Sequence, residues 1–339
     1  MTPFIYGSTF TGIGGFEAAF EGLGMRASAM VEVLKNRHST LREHFPGVNL
    51  MGDIRDVTGR DLGRIDALVG GFPCKGISRG KGHRLGLADK DSRQFFEFVR
   101  LLRETQRILD ESQPRWAILE NAADLTSVNR GWDLSTVVSH LEELGYGWAY
   151  RVVDARDFPD ANGRRTPATR KRCLVVAHRG GDPRPAGQVL GLCGPGASPA
   201  AQGDNGRSEP GPGPTPVAVG GDLVRVWRKG ANSRVNIALG YAGGYRETWR
   251  NDGLANTLAA SDGGSAVRQK HLIAQGGRIR AATPVEWERL LGFPDDWTAR
   301  MSESARYDAL GNAMHVDMAR WLGTRLLAVH NALPALIPA

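Results

Sequence analysis

Pro73-Cys74, at the centre of the run Gly70–Ser78 (GGFPCKGIS), carries more chemical potential than any other pair in this chain. A thiolate is the strongest nucleophile among ordinary side chains, but a free cysteine titrates near ~8.5 and needs surroundings that help it ionise. The apolar run Ala67–Val69 just before it predicts a buried strand ending in a glycine turn. Cys74 then stands at the carboxyl end of a strand, where open α/β sheets place their ligand crevice. An isolated cysteine is more often an inert core residue, so its neighbours in space must decide.

Candidates for those neighbours recur at other strand ends. Phe10-Thr11-Gly12-Ile13-Gly14-Gly15 joins a first strand to a first helix, where glycines let the backbone turn tightly against a ligand. Glu32 lies about 20 residues on, the distance at which an acidic residue meets a ribose. Asp53, in Met51-Gly52-Asp53-Ile54, either bonds an adenine amino group or caps a short helix. Together these outline a nucleoside pocket, and glycine-loop geometry does not distinguish NAD from S-adenosylmethionine. Glu120-Asn121 follows the apolar run Trp116–Leu119 and puts a carboxyl group at another strand end. Arg170 and Arg172 precede the apolar Cys173–Ala177, and alternation points both to one side, where two guanidiniums can clamp a carbonyl and a phosphate. Read singly, each charged residue is an ordinary solvated side chain.

The elements that must hold these residues follow from periodicity. Phe4–Phe10 and Ser28–Val33 predict strands, each followed by a helix, Phe16–Gly22 and Lys35–His44. Trp116–Leu119 and Trp148–Val153 predict further strands, and Arg93–Leu109 and Leu134–Leu144 carry apolar residues at helical spacing. This alternation predicts an α/β fold with a mostly parallel sheet covered by helices. From Arg179 to Pro216 the chain turns rich in Gly and Pro and predicts a flexible linker or loop. Thr283-Pro284 starts a helix, and helical patterning continues to Leu291 and again over Val316–Val329.

Composition narrows the function classes. The 339 residues suffice for one large or two modest domains. The balance of 43 Lys+Arg against 36 Asp+Glu, a formal charge of +7, favours nucleic acid as a partner. No apolar stretch is long enough to cross a bilayer, and the N-terminus lacks the features of a signal peptide. Three cysteines argue against a disulfide framework and for a reducing, cytoplasmic setting. No Cys/His pairing has zinc-ligand spacing, so no structural metal is expected.

In chain order, FTGIGGFEAAF, GDI, GFPCKGIS, DSRQFFEFVR, PRWAILENAADL, PATRKR, TPVEWERLLGFPDDW and GNAMHVDMARWLG make the chain resemble the DNA (cytosine-5)-methyltransferases of bacterial and phage type. The resemblance spans nearly the whole sequence. It implies a Rossmann-like S-adenosylmethionine-dependent domain over 1–180 and 278–339, and a small irregular, β-rich target-recognition insert over 181–277 with its linker at about 179–216. It implies that Cys74 attacks C6 of cytosine, that Glu120 holds the N3 edge and amine, that Arg172 meets O2, and that Arg170 supports it. The target base must leave the duplex to reach such a pocket.

For the cofactor, the resemblance implies Phe10, Gly12, Ile13 and Gly14 around the methionine moiety and Glu32 on the ribose. Asp53 and Ile54 would meet the adenine, with Asn312 and Ala313 closing the pocket. Arg79, Lys81 and Arg84 fall in the loop Gly76–Gly86 that closes over flipped DNA, and Thr257 and Leu258 form a Thr-Leu element that supports DNA binding. Lys75 stands where the family has Gln, Ala122 where it has Val and Ala168 where it has Gln, while Asp160–Thr166 lengthen the turn before the arginines. None of these removes a group the chemistry requires. The implied partners are duplex DNA and a separately encoded cognate restriction endonuclease, with no membrane and a monomeric protein. The rival readings are a tRNA cytosine-5 methyltransferase of the same fold, an inactive DNA-binding relative and a nucleotide-dependent oxidoreductase. The first lacks its Cys-Phe-Thr element here, the second is opposed by the presence of Cys74, Glu120 and Arg172, and the third leaves those three without a purpose.

Overall fold

Short apolar runs alternate with amphipathic segments through the first 180 residues, and most become the elements their periods predict. The computed structural model describes residues 3–78, 85–109, 114–193, 272–275 and 278–333. Its order is β1 (Ile5–Thr9), α1 (Gly15–Glu21), β2 (Arg26–Val31), α2 (Lys35–His44), β3 (Asn49–Met51), α3 (Gly59–Leu62), β4 (Ala67–Gly70), α4 (Phe95–Leu109), β5 (Trp116–Ala122), α5 (Trp132–Glu143), β6 (Tyr146–Asp154), β7 (Lys171–Arg179) and α6 (Arg184–Val189). After residues 194–271 come β8 (Leu272–Gln275), β9 (Arg278–Ala281), α7 (Pro284–Leu290), α8 (Glu303–Asn312) and α9 (Val316–Ala332).

The main sheet has seven strands in the order β3-β2-β1-β4-β5-β7-β6. The first five pair in parallel, while β7 runs antiparallel to both β5 and β6. The reversal follows from the connection: only a single 3-10 turn, Ala155–Asp157, lies between β6 and β7, and a parallel return needs a crossover, usually a helix. Alternation within the strands buries both faces. Ala67, Val69, Trp116, Ile118, Leu174 and Val176 face one core with α1 and α9; Leu68, Ala117, Leu119, Cys173 and Val175 face the other with α4 and α5. Burial on both sides explains why these strands read as continuous apolar runs rather than alternating ones. Each fully buried Leu, Ile or Phe contributes about 1.5–3 kcal/mol.

One expectation needs correction. Residues 184–193 fall within the stretch expected to be a flexible Gly/Pro-rich linker, yet they form α6 and the turn after it, with Ala186, Val189 and Leu190 in the core. Proline at the helix start is compatible with a first turn that needs no amide hydrogen. Arg325 donates to the Gln188 and Val189 carbonyls, and Arg151 to that of Leu190, so the helix end is satisfied by side chains of α9 and β6. The rest of the expected insert 181–277, with Thr257 and Leu258, lies outside the described residues, apart from β8, which pairs antiparallel with β9 just beyond it. No helix among the described residues is long and apolar enough to cross a membrane.

Candidate active site

The strand order reverses between β1 and β4, and in such sheets the ligand crevice opens at the carboxyl ends flanking that point. The glycine loop follows β1 and the Pro-Cys segment follows β4. Register sets them level, with Thr9 opposite Gly70 and Gly70 opposite Leu119. Two glycines permit this approach: a Cβ at Gly70 would lie 2.3 Å from Thr9 Oγ1, and one at Gly71 would lie 2.9 Å from Glu120 Oε2. The Gly-Gly before Phe72-Pro73-Cys74 is therefore what lets the nucleophile segment lie against both neighbouring strand ends.

Cys74 is half-buried and free. Burial pushes its thiol above the ordinary value; Arg172 pulls it down, Glu120 pushes it up and Arg170 pulls it down again. Cys74, four residues beyond β4, thus lies within electrostatic reach of Glu120 on β5 and Arg172 on β7. Arg172 Nε lies 2.5 Å from Glu120 Oε1 in an ion pair, and both side chains are largely shielded from solvent. Cys173, one residue on, shows the alternative fate of a cysteine: fully buried in the core, its thiol is pushed up to about 12 by burial and then by Glu120.

Asn121, quoted in sequence only as the partner of Glu120, has its own task. Its Nδ2 donates to the Phe72 carbonyl at 2.9 Å, while its Oδ1 accepts from the Ala122 amide. This ties the end of β5 to the Pro-Cys segment. Arg170 is buried, its Nη2 donating to the carbonyls of Gly311 and Ala313 at 3.2 and 2.6 Å. It therefore touches the segment that contains Asn312 and Ala313 and acts as a positioning residue.

On the glycine-loop side, Phe10, Gly12 and Gly14 all take positive φ, at 55°, 65° and 85°. Glu32, buried at the end of β2, accepts from the Gly12 amide at 2.7 Å and the Leu34 amide at 2.8 Å. Trp297, from the LGFPDDW element, donates its indole N–H to the Ile13 carbonyl at 2.8 Å, so that distant motif buttresses the loop. Arg37 was missed in sequence. It is buried and reaches Glu32 on one side and Asp308 of α8 on the other, linking the loop to the C-terminal segment. Its only signal was a place five residues beyond Glu32 in a helix that otherwise reads as solvated.

Asp53 shows the capping alternative: its carboxylate accepts from the Arg55 amide and is held by the Arg55 guanidinium, which keeps its carboxyl below the usual range. Ile54 is buried in the second core cluster. Asn312 is exposed, its amide donating to the Asp308 carbonyl, and Ala313 is buried beside it. Arg79, Lys81 and Arg84 lie outside the described residues. Among the described residues no group of three or more His, Cys, Asp or Glu is arranged to hold a metal ion. A cleft of about 570 Å³ bounded by His44, Trp297, Arg164, Asp317 and Arg320 contains none of the site residues.

The pattern has relatives. The family model described as C-5 cytosine-specific DNA methylase matches residues 4–189 and 226–328. Type II methyltransferase M2.BsuMI of Bacillus subtilis is 29% identical, covering 94% of this chain and 74% of its own length. Type II methyltransferase M.NlaX of Neisseria lactamica is likewise 29% identical, covering 96% of each. Among solved structures, the Dnmt2 methyltransferase of S. pombe superposes with a TM-score of 0.62 at 15% identity, covering 97% of this chain and 99% of that one. A prophage-encoded putative DNA modification methyltransferase from E. coli gives a TM-score of 0.60 at 17% identity, with the same coverage. Both agree with a Rossmann-like fold carrying a reversed strand. With a cysteine, a carboxylate and a guanidinium at three adjacent strand ends, and a family model matched over most of this chain, the protein belongs to the C-5 cytosine-specific DNA methylases.

Proposed function

We propose that this DNA cytosine-5 methyltransferase works through a covalent adduct between Cys74 and C6 of a cytosine flipped from duplex DNA, with S-adenosylmethionine as the methyl donor. One observation carries this reading: among the described residues, the charges that act on the half-buried Cys74 thiol are the Arg172–Glu120 pair and Arg170. S-adenosylmethionine supplies, when bound, an electrophilic methyl group on a sulfonium. The residues present fit it: the loop Phe10–Gly14 has the positive φ values of a backbone opened toward a ligand, nothing crowds a Cβ at Gly12 closer than 4.0 Å, and Glu32 is fixed at the loop's edge by two amides.

The chain's own residues account for the rest. In the free protein burial keeps the thiol protonated, and Arg172 is the neighbour that most favours its anion. A cytosine entering between Arg172 and Glu120 exchanges their ion pair for hydrogen bonds to O2 and to the N3 edge. Opening that pair without substrate is costly, because a shielded charge left alone loses about 3–5 kcal/mol. The sulfur then loses its proton and bonds to C6 while the ring electrons move toward C5 and N3; a proton delivered to N3 through Glu120 matches the one lost from sulfur and leaves an enamine. After C5 is methylated, loss of its proton restores the C5–C6 double bond and expels the thiolate. Asn121 holds the Pro-Cys segment in line throughout.

The test is Cys74→Ser, which should bind duplex DNA but lose methylation, since a hydroxyl is far less ionised near neutral pH. Duplex DNA containing 5-fluorocytosine should trap a stable adduct with the natural chain and none with Cys74→Ser. Near-normal turnover of the serine protein would overturn the covalent route, and preferential methylation of tRNA would favour the RNA-directed reading.

A further inference from the structure

Lys75 follows the nucleophile directly and replaces the glutamine that the family resemblance leads one to expect. Its ammonium lies 2.9 Å from Asp91 Oδ2, with the two side chains 53% and 30% exposed. Asp91 belongs to the segment that resumes at Leu85, one stem, facing the segment that ends at Ser78, the other. The two stems meet without help from this pair: the Gly86 amide donates to the Gly76 carbonyl at 2.9 Å, and the Gly76 amide to Ser92 Oγ at 3.0 Å. A Cβ at Gly76 would sit 2.5 Å from the Gly86 carbonyl oxygen, so the stems touch there through backbone. Cys74 is fixed separately by the Ile77 and Ser78 amides donating to its carbonyl. An exposed ion pair adds little stability, and the stem geometry does not depend on it. Nor is Lys75 a principal influence on the thiol, which responds to Arg172, Glu120 and Arg170.

We propose that Lys75 is a phosphate-positioning residue for the target strand, and that Asp91 holds its ammonium in the free protein as an internal competitor which DNA must displace. A cation adjoining the nucleophile lies where the backbone of a flipped nucleotide must pass, and a strand phosphate offers the same charge-assisted partner as a carboxylate. The free protein thus keeps Lys75 neutralised against stray anions until a polyanion arrives. The proposal rests on the Cys74 side of the molecule being the DNA face.

The experiment measures duplex affinity across a salt series for Lys75→Gln, Asp91→Asn and the double variant, with thermal melting of each. Lys75→Gln should weaken binding and lower the salt slope by about 1. Asp91→Asn should do the opposite, tightening binding of order two- to fivefold, the scale of an exposed pair. The gain must vanish when Lys75 is already Gln, and Lys75→Arg should bind as the natural chain does. If both single variants weaken binding and melt early, the pair is a structural tie and the proposal fails. It fails equally if Asp91→Asn tightens binding just as much in the Lys75→Gln background, since Asp91 would then simply repel DNA. Adduct formation by Lys75→Gln on 5-fluorocytosine duplex reports separately on the Cys74 site, so loss of that reading cannot be mistaken for loss of this one.

Discussion

Arg170→Met separates the positioning role of this arginine from the chemistry beside it. The guanidinium is buried, and its Nη2 serves the carbonyls of Gly311 and Ala313, at the end of α8 where helix acceptors have no partner of their own. Methionine has comparable length, so the cavity left is small and the loss is mainly two stranded acceptors. Each costs about 1–3 kcal/mol. Part of this is returned, because burial, and then repulsion from Arg172, already drag the Arg170 pKa down to about 9, which marks a charge held at a cost. The expected net loss is about 2–3 kcal/mol, read as a lower urea midpoint at unchanged slope. If Asn312 and Ala313 close the cofactor pocket, calorimetry should also show S-adenosylhomocysteine binding weakened at least tenfold, the equivalent of about 1.4 kcal/mol. Arg172→Met should leave that affinity nearly intact. A variant within about 0.5 kcal/mol of the natural chain and with unchanged affinity would refute the reasoning.

Because burial raises the Cys74 thiol, its alkylation by iodoacetamide should increase with pH to a midpoint above that of a free thiol; Glu120→Gln removes a charge that raises it and should move the midpoint down, whereas Arg172→Met should move it up. Cys173, at about 12, should stay unlabelled below pH 9 in the folded protein, and mass spectrometry of the labelled peptides checks both points. Exchanging residues 194–277 for a relative's insert should change the methylated site, whereas cutting at 181 also discards α6 with its Arg151 and Arg325 contacts and should lower the melting temperature; an active chimera with unchanged site choice would place specificity elsewhere. If Arg79, Lys81 and Arg84 contact phosphates, alanine at each should weaken specific and unrelated duplexes alike and lower the salt slope by about 1.

Why some of this was legible in the sequence and some was not depends on the range of the interaction involved. The helix Lys35–His44 has the same bounds in sequence and structure because its period is local. The strands β4, β5 and β7 announce themselves because burial on both faces makes them uninterrupted apolar runs. β3 and α3 have three and four residues, too few to display a period, and went unread. α6 was hidden by its own composition: Arg184-Pro185-Ala186-Gly187 is a poor helix on intrinsic preference, and it is held by tertiary contacts from Arg151 and Arg325 that no local window contains. The site divides along the same line. Cys74, Glu120 and Arg172 could be named because each flanks an apolar run and falls in a motif of the family the chain resembles, and the sheet register then brings those positions together. Arg37 reaches Glu32 and Asp308, 5 and 271 positions away, while Asn121 and Trp297 bond to residues 49 and 284 positions away, respectively. The bonds of Asn121 and Trp297 end on backbone carbonyls, which carry no side-chain signature. Candidate site residues are therefore readable here where a strand end presents them, and the residues that hold them in place become visible only once the sheet has assembled.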